Sequence, residues 1–345
     1  MQHRKTAALF LLCTAFFSGC GPREEPYLYI YCNETFWYVM QEEALFFNRI
    51  YSFHVVLIPV RAERTSGKKK EEDTVEIGTD RRAPALWQSI AREPTDQRVD
   101  TRIQINPDIE SQLDIIVKQS FGDLFLTDSQ KHLDKLRKSV ATKEYVVCYL
   151  TLTMLVPEGN PHQLQSAKDV LDSNRRLGIV NPSLDGLGEA SWKMLGKIVS
   201  GGESAIPMDL VQLYERQYDL LEALEQGRID AALVWNATSQ KNYLFVKYAD
   251  EYNARYEAEM RRFEREKNRE GLRLFLRAMC EYIIEKHTFA DEVPLNQNPD
   301  ERHVIPVRLV ALGTTTNIGY CERFADFMRS KQGKEILQRF GFVTE

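Results

Sequence analysis

Few residues of this 345-residue chain are placed to make or break bonds. The six histidines are scattered, without an HExxH pair or any other metal-ligand spacing. No GxSxG elbow and no phosphate loop of the Walker type occurs. Carboxylates are abundant, but no pair stands apart from a solvated face. The chain therefore reads as a non-enzyme with no cofactor. Two stretches offer binding chemistry instead. Asn181-Pro182-Ser183, with Gly186 and Gly188, precedes a helical stretch from Glu189 to Ile198. Such a loop aims unpaired backbone N–H groups at its occupant, which favours an anion. Gly313-Thr314-Thr315-Thr316 offers a glycine and three hydroxyls before another helix. There, capping of the helix is the simpler account.

These loops need strands and helices to hold them. Tyr27 to Cys32 reads as a buried first strand, Phe36 to Ile50 as a helix with one broad apolar face, and His54 to Val60 as a second strand. Strand, helix, strand at this length is a βαβ unit, and open α/β sheets bind ligands at the carboxyl ends of their strands. Arg61 to Asp100 contains the charge block Lys68 to Asp73 and reads as a solvated insertion. Thr101 to Ile105 is a candidate strand and Ile109 to Ser120 a candidate helix. Leu124 to Leu126 is a short strand, and Thr127-Asp128-Ser129 opens a helix from His132 to Lys138. Glu144 to Val156 is long enough for two strands or for one continuous hinge strand. Leu210 to Gln226 reads as an amphipathic helix, Leu233 to Trp235 ends a strand, and Tyr252 to His287 reads as one or two helices with a highly charged first half. Val304 to Leu312 is a late strand, and the helix Ile318 to Ser330 follows.

Val156-Pro157-Glu158-Gly159-Asn160-Pro161, the helix carrying Asp169 and Leu171, then Gly178-Ile179-Val180-Asn181-Pro182 and a glycine-bearing turn together resemble the periplasmic molybdate-binding proteins. Gly122-Asp123 before its short strand, Gly227 to Trp235, and the tail from Phe324 to Phe342 match in the same order. The resemblance covers most of Tyr27 to Glu345. It implies an α/β, two-lobed fold of the type II periplasmic-binding class, each lobe a mixed sheet flanked by helices, joined by a hinge crossover. The implied division is a first lobe from 27–150, with an insertion at 61–100; a second lobe from 151–240; and a return to the first lobe over 241–345, with a helical insertion at 252–287.

Proteins of this family hold a tetrahedral oxyanion with hydroxyls and backbone N–H groups rather than with a charged side chain. The matching positions here are Asn33 and Thr35 after the first strand, Ser111 after the third, Ser183 and Gly186 in the second lobe, and Trp235 and Asn236 at the return crossover. Glu34, Asp108, Glu110 and Asp185 stand in or near the same loops. An ionised carboxylate in a dry anion site costs several kcal/mol unless paired or protonated, on the order of the penalty for a buried charge. Glu34 and Glu110 fit an outward position as first-turn residues complementing a helix dipole. Asp108 and Asp185 are open between the two positions.

His3, Arg4 and Lys5 precede an apolar run from Ala7 to Phe17, too short to span a bilayer. Ser18-Gly19-Cys20 completes a pattern that resembles a bacterial lipoprotein signal, with 1–19 removed, a lipid on Cys20 and 20–26 as a tether. The expected location is outside the cytoplasm, anchored to a bacterial membrane. A net charge of −5 gives no basic field for nucleic acid. Cys32 and Cys148 lie in apolar runs and read as small core residues. The resemblance implies a monomeric capture component of an ABC importer, with molybdate or tungstate as ligand and a membrane permease as partner. The alternatives are capture of another anion, a metal ion or a small organic solute, which the acids near the cleft favour if it is cationic, and a non-transporting interaction protein that uses the helical insertion.

Overall fold

The computed structural model describes residues 27–36, 51, 54–60, 122–184, 186–237, 240–266, 268–295 and 303–345, together with 39, 40, 43, 44 and 47. The signal and tether, the insertion at 61–100 and the candidate elements between 101 and 120 lie outside these residues.

Among the described residues nine strands form one sheet, eight of them along a single path and the ninth, β8 (Ala290–Pro294), off it. β1 (Tyr27–Asn33), β2 (His54–Val60) and β3 (Leu124–Thr127) are parallel, in the order β2-β1-β3. β9 (Val304–Leu312) lies antiparallel beside β3. β4 (Ala141–Pro157) is a single strand of 17 residues, about 55 Å long at the usual rise. That exceeds the width of one small sheet, and β4 serves two. Its stretch from Ala141 to Thr151 pairs with β9, whereas Leu152 to Leu155 pair with β7 (Ala231–Trp235) and Thr153 to Pro157 with β8 (Ala290–Pro294). Beyond β7 come β5 (Leu177–Val180) and β6 (Val211–Tyr214), both parallel to it in the order β7-β5-β6. Of the two readings open for Glu144 to Val156, two strands or one continuous hinge strand, the structure has the second, and each half is a mixed α/β sheet flanked by helices.

Burial explains why these segments are strands. β3, β5 and β7 are buried at every position, as suits short apolar strands covered on both faces. The helices of the second half are α2 (Ala167–Asp172), α3 (Gly186–Ile198) and α4 (Gln217–Glu225), and α1 (Gln130–Ser139) belongs to the first. Cys32 and Cys148 are fully buried, as read from their apolar surroundings, and burial pushes both thiols upward in pKa.

The reading of Leu210 to Gln226 as one helix is corrected. Val211 to Tyr214 form β6, in register with Leu177 to Val180, and the helix starts only at Gln217. The helical spacing of Leu220, Leu221 and Leu224 is real but short. Val211 and Leu213 follow a strand alternation that a window dominated by leucines hides. α3 begins three residues earlier than expected.

α5 (Lys241–Arg265) and α6 (Arg269–His287) form a hairpin. The His287 ring stacks on Tyr248 with centroids 3.7 Å apart and shares a hydrogen bond with Tyr252, and Phe275 packs against Tyr256 and Phe263 nearer the tip. At the base, Tyr243 and Lys247 both bond Glu225 of α4. β8 then closes the hairpin onto β4, so the chain re-enters the first sheet with β9.

α7 (Ile318–Arg329) and α8 (Lys331–Arg339) complete the fold. Two ties steady the first half. The Gly313 to Thr316 run braces the entry to β3. Thr315 Oγ1 donates to Asp123 Oδ1 at 2.5 Å and accepts from the N–H of Asn317, Thr314 donates to the Gly122 carbonyl at 2.8 Å, and the other Asp123 oxygen accepts from the N–H of Tyr29. The second tie is the C-terminal tail. Val343 exchanges backbone hydrogen bonds with Tyr149, and the Phe342 ring stacks on Phe36. Asp123 is buried and accepts two bonds. Asp123→Ala strands both donors and is expected to cost about 1–3 kcal/mol, read as a lower chemical denaturation midpoint at unchanged slope.

Candidate functional site

Parallel pairing brings the loops that carry the candidate residues to one edge of each half. Tyr31 lies opposite Phe125, so the ends of β1 and β3 share an edge, with Asn33 and Thr35 on one loop and Thr127-Asp128-Ser129 on the other. In the second half Leu177 lies opposite Ala231, so the loop after β5 and Trp235 at the end of β7 share the corresponding edge. The two edges meet across the hinge.

The first-half side of this seam is built around the start of α1. Ser129 is its N-cap, with the side chain accepting from the N–H of His132. Thr127 Oγ1 accepts from the N–H of Ser129 at 3.0 Å and shares a 3.1 Å hydrogen bond with His132 Nδ1. The imidazole is buried against the edge of Phe125. Burial, helped by the neighbouring Lys131 charge, lowers its pKa from 6.5 to about 4. This web of short-range bonds fixes where Asp128 points.

The second-half side is the loop from Asn181 to the first turn of α3. Asn181 Oδ1 accepts from both the N–H and the hydroxyl of Ser183, an Asx turn that starts the loop. A Cβ on Gly188 would lie 2.4 Å from the Asn181 carbonyl oxygen, so the turn closes only with glycine there. Gly186 opens the helix and faces the first half directly. A Cβ on it would stand 2.7 Å from Asp128 Cγ and 2.8 Å from Asp128 Oδ1.

Polar contacts cross the seam. Trp235 Nε1 donates to Asp128 Oδ2 at 2.9 Å. Ser129 Oγ donates to Glu189 Oε1 at 2.6 Å. Lys131 Nζ donates to the Pro182 carbonyl at 2.8 Å. Asp128 is 6% exposed, Glu189 7%, and Trp235 is fully buried. Both carboxylates lie at the N-terminal end of α3, where the helix dipole favours negative charge.

The sequence-derived positions are distributed as follows. Gly186 and Trp235 meet on Asp128. Ser183 is exposed in the same loop, its hydroxyl bonded to Asn181. Asn33 and Thr35 stand at the first-half edge, with Thr35 half-buried. Asn236 lies at the hinge. Its amide oxygen accepts from the N–H of Thr151, its amide nitrogen donates to the Gly341 carbonyl, and its backbone N–H donates to Thr151. Ser111, Asp108, Glu110, Asp185 and Cys20 lie outside the described residues. In the sequence Thr127-Asp128-Ser129 reads only as a helix start and Glu189 only as a helical residue; it is the structure that brings Asp128, Ser129, His132 and Glu189 to the seam. The only local signal was an unusual density of polar residues directly after a buried strand. Among the described residues no group of three or more histidines, cysteines or carboxylates could hold a metal ion, and no helix is long and apolar enough to cross a membrane.

Comparison with known proteins agrees with this architecture. The family model for bacterial extracellular solute-binding proteins matches residues 110–343, about two thirds of the chain. The chain belongs to that family, whose members bind solutes and are not enzymes. No curated protein sequence matches it significantly. Among solved structures, the periplasmic molybdate-binding protein of Azotobacter vinelandii aligns with a TM-score of 0.51 at 12% identity, covering 92% of this chain and 99% of that one. The sulfate-binding protein SubI of Mycobacterium tuberculosis aligns with 0.53 at 11% identity, over 92% and 86%. Iron-bound HitA of Pseudomonas aeruginosa aligns with 0.51 at 13% identity, over 90% and 83%. At these identities the likeness is one of fold, and the fold evidently accepts oxyanions and a metal ion alike.

Two outcomes are expected from the seam geometry. Gly186→Ala drives a methyl group into Asp128, and the clash outweighs the gain in helix propensity. The variant should lose about 1–3 kcal/mol of stability and show a larger radius of gyration by small-angle scattering. His132 has a folded pKa below its unfolded value. Its contribution is fully present above pH 6.5 and is lost as pH falls towards about 4. The wild-type melting temperature should therefore fall over that window, and His132→Gln should flatten that part of the profile.

Proposed function

We propose that this protein is the extracytoplasmic capture subunit of an ABC importer, closing its two halves over a small solute at the seam around Asp128, Gly186, Glu189 and Trp235 and presenting it to a membrane permease. The family membership and the shared hinge strand support capture. The lipid anchor at Cys20 and a monomeric state belong to the same proposal.

The observation that carries the ligand reading is the pair of buried carboxylates from opposite halves, each bonded to a neutral donor across the seam. An anion entering beside them would be a third negative charge at one helix end. Unit charges about 4 Å apart repel by roughly 4 kcal/mol at the effective dielectric of a partly buried site. A solute bearing a positive charge or several hydrogen-bond donors meets the opposite field. The geometry therefore favours a small organic cation or a donor-rich solute.

The second reading is an oxyanion, molybdate or tungstate first. It draws on the sequence resemblance, on the hydroxyls of Thr35 and Ser183, and on the N-terminal turn of α3. It requires Asp128 and Glu189 to be protonated or to move aside.

Thermal unfolding of the purified protein against molybdate, tungstate, sulfate, divalent metals and a set of small ammonium compounds separates these readings. A solute that binds only the folded state adds about 2.7 kcal/mol at a hundredfold excess over its Kd. A raised midpoint with an ammonium compound alone supports the favoured reading. A raised midpoint with molybdate or tungstate transfers the conclusion to the oxyanion.

A further inference from the structure

We infer that Asp128 is the residue that sets the ligand class of this cleft, by acting as a built-in occupant of the second half's anion position. The inference rests on the capture function proposed above and names a specificity-determining residue within it.

A helix end by itself says little, but this one is already filled. α3 has 13 residues, and its first residue is a glycine with no room for a methyl group because the Asp128 carboxylate stands against it. The carboxylate comes from the other half of the molecule. It is held there by a second group, the indole N–H of Trp235, itself fully buried at the end of β7. Its backbone is pinned by the Thr127, Ser129 and His132 web on one side. The flanking bonds from Ser129 to Glu189 and from Lys131 to Pro182 keep the two loops at that separation. Four independent features thus converge on one oxygen-bearing group: a glycine, an aromatic donor, a capped turn and a bracketed loop.

The consequence is selective. A tetrahedral oxyanion competes with a tethered carboxylate that is always present at high local concentration, and it meets that carboxylate's charge as well. A cationic or neutral donor-rich solute uses the same carboxylate as an acceptor. Asp128 therefore excludes one class and receives the other. Asp128→Asn keeps the shape and leaves a carbonyl oxygen to accept from Trp235, while the charge is gone.

The test measures binding of sulfate and molybdate to wild type, Asp128→Asn and Trp235→Phe by isothermal titration calorimetry at low ionic strength, with folding checked by circular dichroism. The expected result is at least a tenfold gain in affinity for one of the two anions in Asp128→Asn, and none in Trp235→Phe, which keeps the charge. A folded Asp128→Asn that binds neither anion more tightly than wild type overturns the inference. So does a wild type that already binds either anion as tightly as the variant. If Asp128→Asn does not fold, Asp128→Ser is judged by the same criterion. If neither folds, wild type decides: binding of either anion overturns the inference, and indifference to both with binding of an ammonium compound upholds it. Failure of the capture reading looks different, because wild type then binds nothing in the panel while Asp128→Asn still gains an anion.

Discussion

β4 is one strand in two sheets, and the rest of the molecule follows from that. A strand of 17 residues cannot be satisfied by one short partner, so its two ends recruit different ones: β9 at the start, β7 and β8 at the end. Backbone hydrogen bonding must be complete in a buried strand. The two halves are therefore joined by an element that neither can give up. What remains adjustable is the angle between them, and the place where that angle is felt is the edge at which β1, β3, β5 and β7 end.

The hinge is reinforced by groups that look ordinary in sequence. Asn236 bonds Thr151 and the Gly341 carbonyl, so one side chain ties β4, the end of β7 and the C-terminal segment together. The tail then pairs with Tyr149 and inserts Phe342 against Phe36 in the first half. The chain thus closes across its own hinge. The α5–α6 hairpin, by contrast, is anchored through Glu225 to the second half.

The seam itself shows how charge and packing are coupled. Asp128 tolerates burial because a buried indole donates to it and because a helix end lies beside it. Glu189 tolerates burial because Ser129 donates to it across the gap. Each carboxylate accepts one hydrogen bond from the opposite half, so both bonds depend on the two halves being together. A pair of buried acids with neutral donors differs chemically from the uncharged hydroxyl and N–H cradle that the resemblance implies.

The sequence by itself determined the architecture: buried strands as short apolar runs, the hinge as one long β-rich run, the loops at the strand ends as polar turns, and the family through motifs in a fixed order. These are local signals, because burial on both faces and turn chemistry are written in consecutive residues. It missed β6, whose four residues are a strand only because β5 lies alongside, and β8, a charged stretch made regular by β4. It also selected Gly186 and Trp235 without the residue that unites them. Asp128 is separated from Trp235 by 107 positions and Ser129 from Glu189 by 60, and neither pair has a sequence signature. Whether an acid after a strand points to solvent or into a cleft depends on what the other half brings to it. Only the tertiary structure decided that, because the partner, the burial and the local field all arise from chain segments that meet across the hinge.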